Sequence, residues 1–327
     1  MTWRCPSPFL RLAIALPFVA AAGCRQPAGP APVVTHDTGA AAADDAGRVK
    51  EPEGTYVVLL GTGTPVPDPG RSGPSLAVVA GGHSYVVDFG PGVVRRASAA
   101  FKKGLAAMDV TSLDRAFATH LHSDHTAGLA DLILTPWEMG RAAPVEIYGP
   151  PGTGAMVDNL LEAYSEDLAV RSGGGTIDEI VPAVAREVGP GPFYEDGNVT
   201  IEAFLVSHGD WKHAYGYRFA ARDRTIVVSG DTGPCDAIAK ACAGCDVLVH
   251  EAYSAAMLGE ATPSMKAYHS RHHTSGIELG KIAAAAKPKL LVLTHELLWG
   301  ATEASLVGEI RQNWDGEIAF GNDMDVY

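Results

Sequence analysis

The chain has 327 residues, 46% of them hydrophobic and 19% charged, and a formal net charge of −13. That apolar content supplies a large core and excludes a predominantly disordered chain. The acidic balance argues against a broad nucleic-acid footprint, which needs clustered Lys and Arg, so no nucleic-acid partner is expected.

In residues 1–24, Arg4 and Arg11 form a positive start, 12–22 is an uncharged apolar run, and small residues follow. This is the pattern of an export signal, and the run falls short of the ~20 residues a spanning helix needs. Ala21-Ala22-Gly23-Cys24 is similar to a bacterial lipobox, with Ala21 where Leu is usual. A lipid on Cys24 would attach the protein to a membrane, so the expected location is the periplasm or an anchored position on the outer membrane. Residues 25–53, rich in Ala, Pro, Gly and Asp, read as a flexible tether, and 54–327 hold the folded domain.

From Thr55 onward short apolar runs predict strands at 56–60, 75–80, 85–88, 115–119, 145–148, 199–206, 215–220, 225–229, 246–249, 289–294 and 317–320. Three- and four-residue apolar spacing predicts helices at 128–139, 154–164, 178–187, 235–243, 275–286 and 302–313. Strands interleaved with helices fit a layered α/β protein whose sheets are covered by helices. Cys5 and Cys24 belong to the leader. Cys242-Ala-Gly-Cys245 has zinc-knuckle spacing without a second pair, so a disulfide or buried thiols among Cys235, Cys242 and Cys245 is expected instead.

The strongest chemical signal is Thr119-His120-Leu121-His122-Ser123-Asp124-His125. Three imidazoles and a carboxylate in six residues cannot share one face of a helix or strand. They can converge from a loop at the end of the preceding strand. Neutral imidazole with carboxylate suits Zn²⁺, and Mn²⁺ or Fe²⁺ is compatible with the same ligand types. His208, Asp231 and His295 each lie just past the end of a predicted strand, where a rigid backbone can fix a ligand. Taken singly each could be an ordinary edge residue. Taken with the first motif they supply the remaining ligands for two metals.

On these residues the sequence resembles the metallo-β-lactamase superfamily from Thr55 to Tyr327. The resemblance implies an αβ/βα four-layer sandwich, two mixed sheets flanked by helices. It implies two Zn²⁺, the first bound by His120, His122 and His208 and the second by Asp124, His125 and His295, with Asp231 between them. Asp88, ending Tyr85-Val-Val-Asp88, matches an early aspartate that orients a ligand from behind. Leu60-Gly-Thr-Gly-Thr-Pro65, Val249-His-Glu-Ala252 and His273-Thr-Ser275 further resemble the branch holding tRNase Z, metal-dependent phosphodiesterases and metallo-arylsulfatases. That branch implies that Glu251 orients His273 and that His273 assists the departing oxygen, so that Asp124, His273 and Glu251 form the catalytic set. His250 reads as a core histidine and His272 as a solvent-facing neighbour.

Asp231 follows His208 by only 23 positions, leaving no room for the long basic arm usual in tRNase Z. With the export signal, this favours a hydrolase of small anionic esters, an aryl sulfate or a phosphodiester. A tRNase Z-like endoribonuclease, a lactonase, lactamase or thioesterase of the same fold, and a non-catalytic metal-binding lipoprotein are the alternatives. Gly61-x-Gly63 lacks the third glycine of a dinucleotide loop, and Gly149-Pro-Pro-Gly-Thr-Gly154 lacks the lysine of a phosphate loop. Trp137, Trp211, Tyr253, Tyr268 and Trp299 lie near the metal motifs in sequence and could line an aromatic pocket, although packing alone explains any one of them. The sequence does not specify an oligomeric state.

Overall fold

The computed structural model describes residues 50–174 and 181–327. Residues 1–24, read from the sequence as an export signal with Cys24 at its end, and most of the expected tether lie outside the described residues, as does the start of the predicted helix at 178–187.

Two sheets carry the fold. The first has the order β1 (Tyr56–Gly61), β2 (Ser75–Ala80), β3 (His83–Val87), β4 (Arg115–Phe117), β5 (Val145–Gly149) and β6 (Ala183–Glu187). The second runs β13 (Glu317–Phe320), β12 (Leu290–Leu297), β11 (Val247–Tyr253), β10 (Thr225–Val228), β9 (Tyr215–Ala221), β8 (Val199–Leu205) and β7 (Gly191–Glu195). Each sheet is mixed: β1–β2–β3 and β7–β8–β9–β10 pair antiparallel, whereas β3–β4–β5–β6 and β10–β11–β12–β13 pair parallel.

Alternation along the strands explains the layering. In β1, Val57 and Leu59 enter a core shared with Ile201, Tyr217, Phe219 and Val249 of the other sheet. Tyr56, Val58 and Leu60 point the opposite way, into a core with the helix Val93–Lys102 and with Leu129 and Leu132. On the far side, Leu248, Leu291 and Leu293 pack against the helices Gly276–Ala286 and Glu303–Ile310. Two sheets buried on both faces give the four-layer sandwich expected.

Two elements depart from the sequence reading. Residues 183–187 form strand β6, not the end of a helix; Val184 and Ala185 are half-buried and Arg186 and Glu187 are exposed. Its Ala-Val-Ala-Arg-Glu composition suits a helix in isolation, but parallel pairing with β5 overrides that preference. Strand β7, with Gly191 and Pro192 inside it, was unrecognisable because both residues disfavour strands; it is the sheet's edge, where proline is tolerated. Cys242 and Cys245 form a disulfide and Cys235 is free.

Candidate metal centre

The site lies at the carboxyl ends of β3, β4, β8, β10 and β12, and each contributes to it just beyond or within its last turn of chain. Asp88, directly after β3, has φ of 57° and His295 has φ of 49°, both in the left-handed region that few residues other than glycine adopt. His295 is also the extra residue of a β-bulge. Glu251 of β11 pairs with Thr294 and Ala252 with Glu296, so His295 falls between and is re-aimed out of the ladder. Close backbone approach matters at Gly90, where a Cβ would lie 2.6 Å from the Asp124 carbonyl oxygen, and at Gly209, where it would strike the His272 ring.

All seven predicted ligands come together. His120 Nε2 lies 2.9 Å from His122 Nδ1, and His208 Nε2 lies 3.1 Å from the same atom. His120, His122, His208 and Asp231 form one group whose candidate ligand atoms all lie within 4.8 Å of one another, and Asp124, His125 and His295 form a second. Asp231 Oδ2 sits between them, 4.0 Å from His120, 3.4 Å from His125 and 3.7 Å from His295. Asp124 Oδ2 lies 3.3 Å from His295 Nε2 and 3.6 Å from His125 Nε2.

The far side of each ring is held. Asp88 accepts from the Thr119 N–H (2.8 Å), the Thr119 hydroxyl (2.9 Å) and His125 Nδ1 (2.8 Å), which fixes the proton on Nδ1 and leaves Nε2 as a lone pair. His208 Nδ1 donates to the His272 carbonyl at 2.7 Å, and His120 Nδ1 faces the Thr119 hydroxyl at 3.0 Å. At His122 the arrangement is the reverse: Trp211 Nε1 donates to Nε2 at 2.8 Å, which puts the neutral ring's proton on Nδ1, the nitrogen facing His120 and His208, so ligation through Nδ1 requires the tryptophan contact to give way.

Burial holds His120 and His122 below the ordinary histidine range and lowers His208 to about 4, so these rings are neutral, the charge state a metal ligand needs. At His125 and His295 burial acts the same way, but Asp231 first and neighbouring carboxylates after it outweigh burial and raise both. Burial would raise Asp231, yet His295, His125 and His273 hold it well below the carboxylate range. The residues fit divalent cations. His125 Nε2 is buried with no hydrogen-bond partner, three imidazole nitrogens converge on one point, and the donors are nitrogen and carboxylate oxygen throughout.

His273 and Glu251 stand beside this cluster. His273 Nδ1 is 3.4 Å from Glu251 Oε2 and 3.9 Å from Asp231, and Glu251 Oε1 accepts from the Thr274 N–H at 2.8 Å. Burial and then Asp231 raise Glu251, while burial lowers His273 to about 4. His250 is a buried core residue whose Nδ1 donates to the Glu251 carbonyl. His272 is not solvent-facing: it is 6% exposed, stacked on Tyr268, and its carbonyl holds His208.

A model of the beta-lactamase superfamily domain matches residues 83–295, which includes every candidate ligand. The chain belongs to the metallo-β-lactamase superfamily. A protein named Ribonuclease Z from Mycobacterium bovis BCG Pasteur is 34% identical over 281 residues, covering 82% of this chain and 96% of its own length. Another Ribonuclease Z, from Mycobacterium sp. strain KMS, is 37% identical over 273 residues, covering 82% and 94%. Among solved structures, the metallo-β-lactamase fold protein YhfI of Bacillus subtilis superposes with a TM-score of 0.63 at 20% identity, covering 84% of this chain and 98% of that one. The short form of human tRNase Z gives 0.60 at 23% identity, covering 83% and 98%. This member of the superfamily is therefore a metal-dependent hydrolase of its tRNase Z branch.

These relatives overturn two expectations. The arylsulfatase-like small-ester reading and the exclusion of a nucleic-acid partner both fail against 34–37% identity to proteins named Ribonuclease Z. The short His208–Asp231 interval misled because it was compared with enzymes bearing an inserted arm. The 273 matched residues barely exceed the 82% of this chain that they occupy, so that relative carries no long arm that is missing here. Net charge misled as well, since it describes the whole chain and not the surface around one cleft.

Sequence reasoning missed the loop that walls the site. Arg71 bonds to the Thr62 carbonyl, the Thr62 hydroxyl and the buried Glu296, next to His295. Asp323 accepts from the N–H groups of Thr62 and Ser72. Neither pairing leaves a local signature, because the partners lie more than 200 positions apart.

Proposed function

We propose that the protein is a ribonuclease Z-like endoribonuclease that hydrolyses an RNA phosphodiester at a centre of two divalent cations, zinc by the preference of the donors. The observation that carries this reading is the 34–37% identity to proteins named Ribonuclease Z over 94–96% of their length. His120, His122 and His208 would hold one cation, Asp124, His125 and His295 the other, and Asp231 both. When bound, such cations neutralise charge on phosphoryl oxygens and make water nucleophilic near neutral pH.

The chain's own groups supply position and protons. Asp88 keeps His125 in one tautomer. Asp124, with its side chain 13% exposed against 4% for Asp231, is the carboxylate of the cluster best placed to take a proton from an attacking water. Glu251 Oε2, 3.4 Å from His273 Nδ1, would orient the ring once that approach closes to a hydrogen bond, leaving Nε2 for the departing oxygen. A negatively charged phosphodiester beside the ring offsets the burial that keeps His273 neutral in the free protein, so substrate itself favours the protonated acid. Export through residues 1–24 is a separate proposal; it concerns where RNA would be met and leaves the chemistry of the site unchanged.

The test is incubation of metal-replete protein with tRNA substrates and with an unstructured RNA of equal length. Internal cuts that disappear with chelator and return with zinc are expected. Intact RNA under conditions where the protein is folded and metal-replete would overturn the proposal.

A further inference from the structure

A cavity of about 470 Å³ opens directly beside His122. Its lining includes Trp211, Lys212, His213, Tyr268 and His272. Its aromatic surfaces are organised. Tyr268 lies flat on His272, with ring centroids 4.0 Å apart and planes 18° from parallel, so one face of the tyrosine is used, and the residue remains 47% exposed. His272 cannot swing away, because its Nδ1 bonds to the Tyr268 carbonyl at 2.7 Å and its own carbonyl holds His208. Trp211 stands edge-on to His122, fixed by its bond to Nε2. Lys212 is exposed at the rim and has no ion-pair partner among the described residues.

An exposed ring held rigid costs little further entropy when a second flat group lands on it, and a lysine at the same rim suits a phosphate. Single-stranded RNA offers both, a base face and a backbone charge one nucleotide apart. We infer that this cavity is a nucleobase subsite, in which Tyr268 stacks the base of a nucleotide flanking the scissile phosphate and Lys212 meets the adjoining backbone. The inference rests on the endoribonuclease reading for its substrate and adds the recognition of an unpaired base, independent of that base's identity.

Binding of a 5′-labelled single-stranded RNA pentamer to metal-replete protein, followed by anisotropy, tests it apart from turnover. Y268A should weaken binding about tenfold, within the range that base–aromatic stacking contributes. Y268F should bind like wild type, K212A should flatten the salt dependence, and metal content should be unchanged in all three. In cleavage assays Y268A should raise KM with little change in kcat, and an abasic nucleotide at the stacked position should abolish the difference between Y268A and wild type. Equal pentamer affinity for Y268A and wild type, or losses from Y268A and the abasic RNA that simply add, would overturn the subsite even if RNA is cleaved. RNA that binds through Tyr268 but is never cut would leave the subsite standing and remove the endoribonuclease reading.

Discussion

Replacing Asp88 with Asn separates what the aspartate does for the fold from what it does for the metal site. In the wild type Oδ1 accepts from the Thr119 N–H, while Oδ2 accepts from the Thr119 hydroxyl and from His125 Nδ1. Asparagine keeps the first contact, and its amide N–H₂ can donate to the hydroxyl oxygen and to His125 Nδ1. Asn also tolerates the φ of 57° at this position as well as Asp does. The cost to stability is therefore only the lost charge assistance, about 1 kcal/mol. The cost to the site is larger. A donor facing Nδ1 drives the His125 proton to Nε2, the atom that lies 3.4 Å from Asp231 and faces the second ligand group. Affinity for the cation at His125 should fall about 10–100-fold. D88A gives the informative contrast. It leaves Thr119 unpaired and forces alanine into the left-handed region, so it should unfold more easily, yet it leaves His125 free to choose its tautomer and should lose less affinity than D88N. Competition against a chromophoric chelator and thermal unfolding in excess chelator measure the two quantities. D88N binding metal as tightly as wild type, or more tightly than D88A, would refute the tautomer reasoning.

H273A should slow RNA hydrolysis by about 10²–10⁴ with both cations retained, and E251Q should slow it less; loss of metal in H273A would make His273 a ligand and not the acid. His250, buried and held at about 4, makes metal-free stability depend on pH. Its folded form binds fewer protons than the unfolded chain between about 6.5 and 4, so stability is full above that window and falls by about 3 kcal/mol as pH drops through it. Urea unfolding of chelator-treated wild type and H250Q at pH 7.5 and pH 5 reads this difference, and identical pH slopes in the two would contradict it.

The sequence carried the fold because both sheets are buried on two faces, so their strands read as continuous Val, Leu and Ile runs between breakers. It carried the candidate ligands, which the structure brings together, because His120 to His125 crowd one loop and the others follow apolar runs directly. What stayed hidden depends on tertiary pairing. Strand β6 is a strand only beside β5, and β7 only at an edge. The bulge that re-aims His295 arises from register between β11 and β12. The roles of Arg71, Glu296 and Asp323 appear only when the ends of the domain meet. His272 looked like a surface residue because its neighbour carries the motif; its burial and its carbonyl bond to His208 follow from how the helix Pro263–His272 ends at the site. Substrate class was the least legible feature, since no residue of the cluster reports on whether the ester beyond it is short or polymeric.

Anomalous scattering from crystals of the zinc-loaded protein addresses the metal centre most directly. Two peaks are predicted, one among His120, His122 and His208, the other among Asp124, His125 and His295, both in contact with Asp231. A single peak, or peaks that leave Asp231 without a metal, would contradict it.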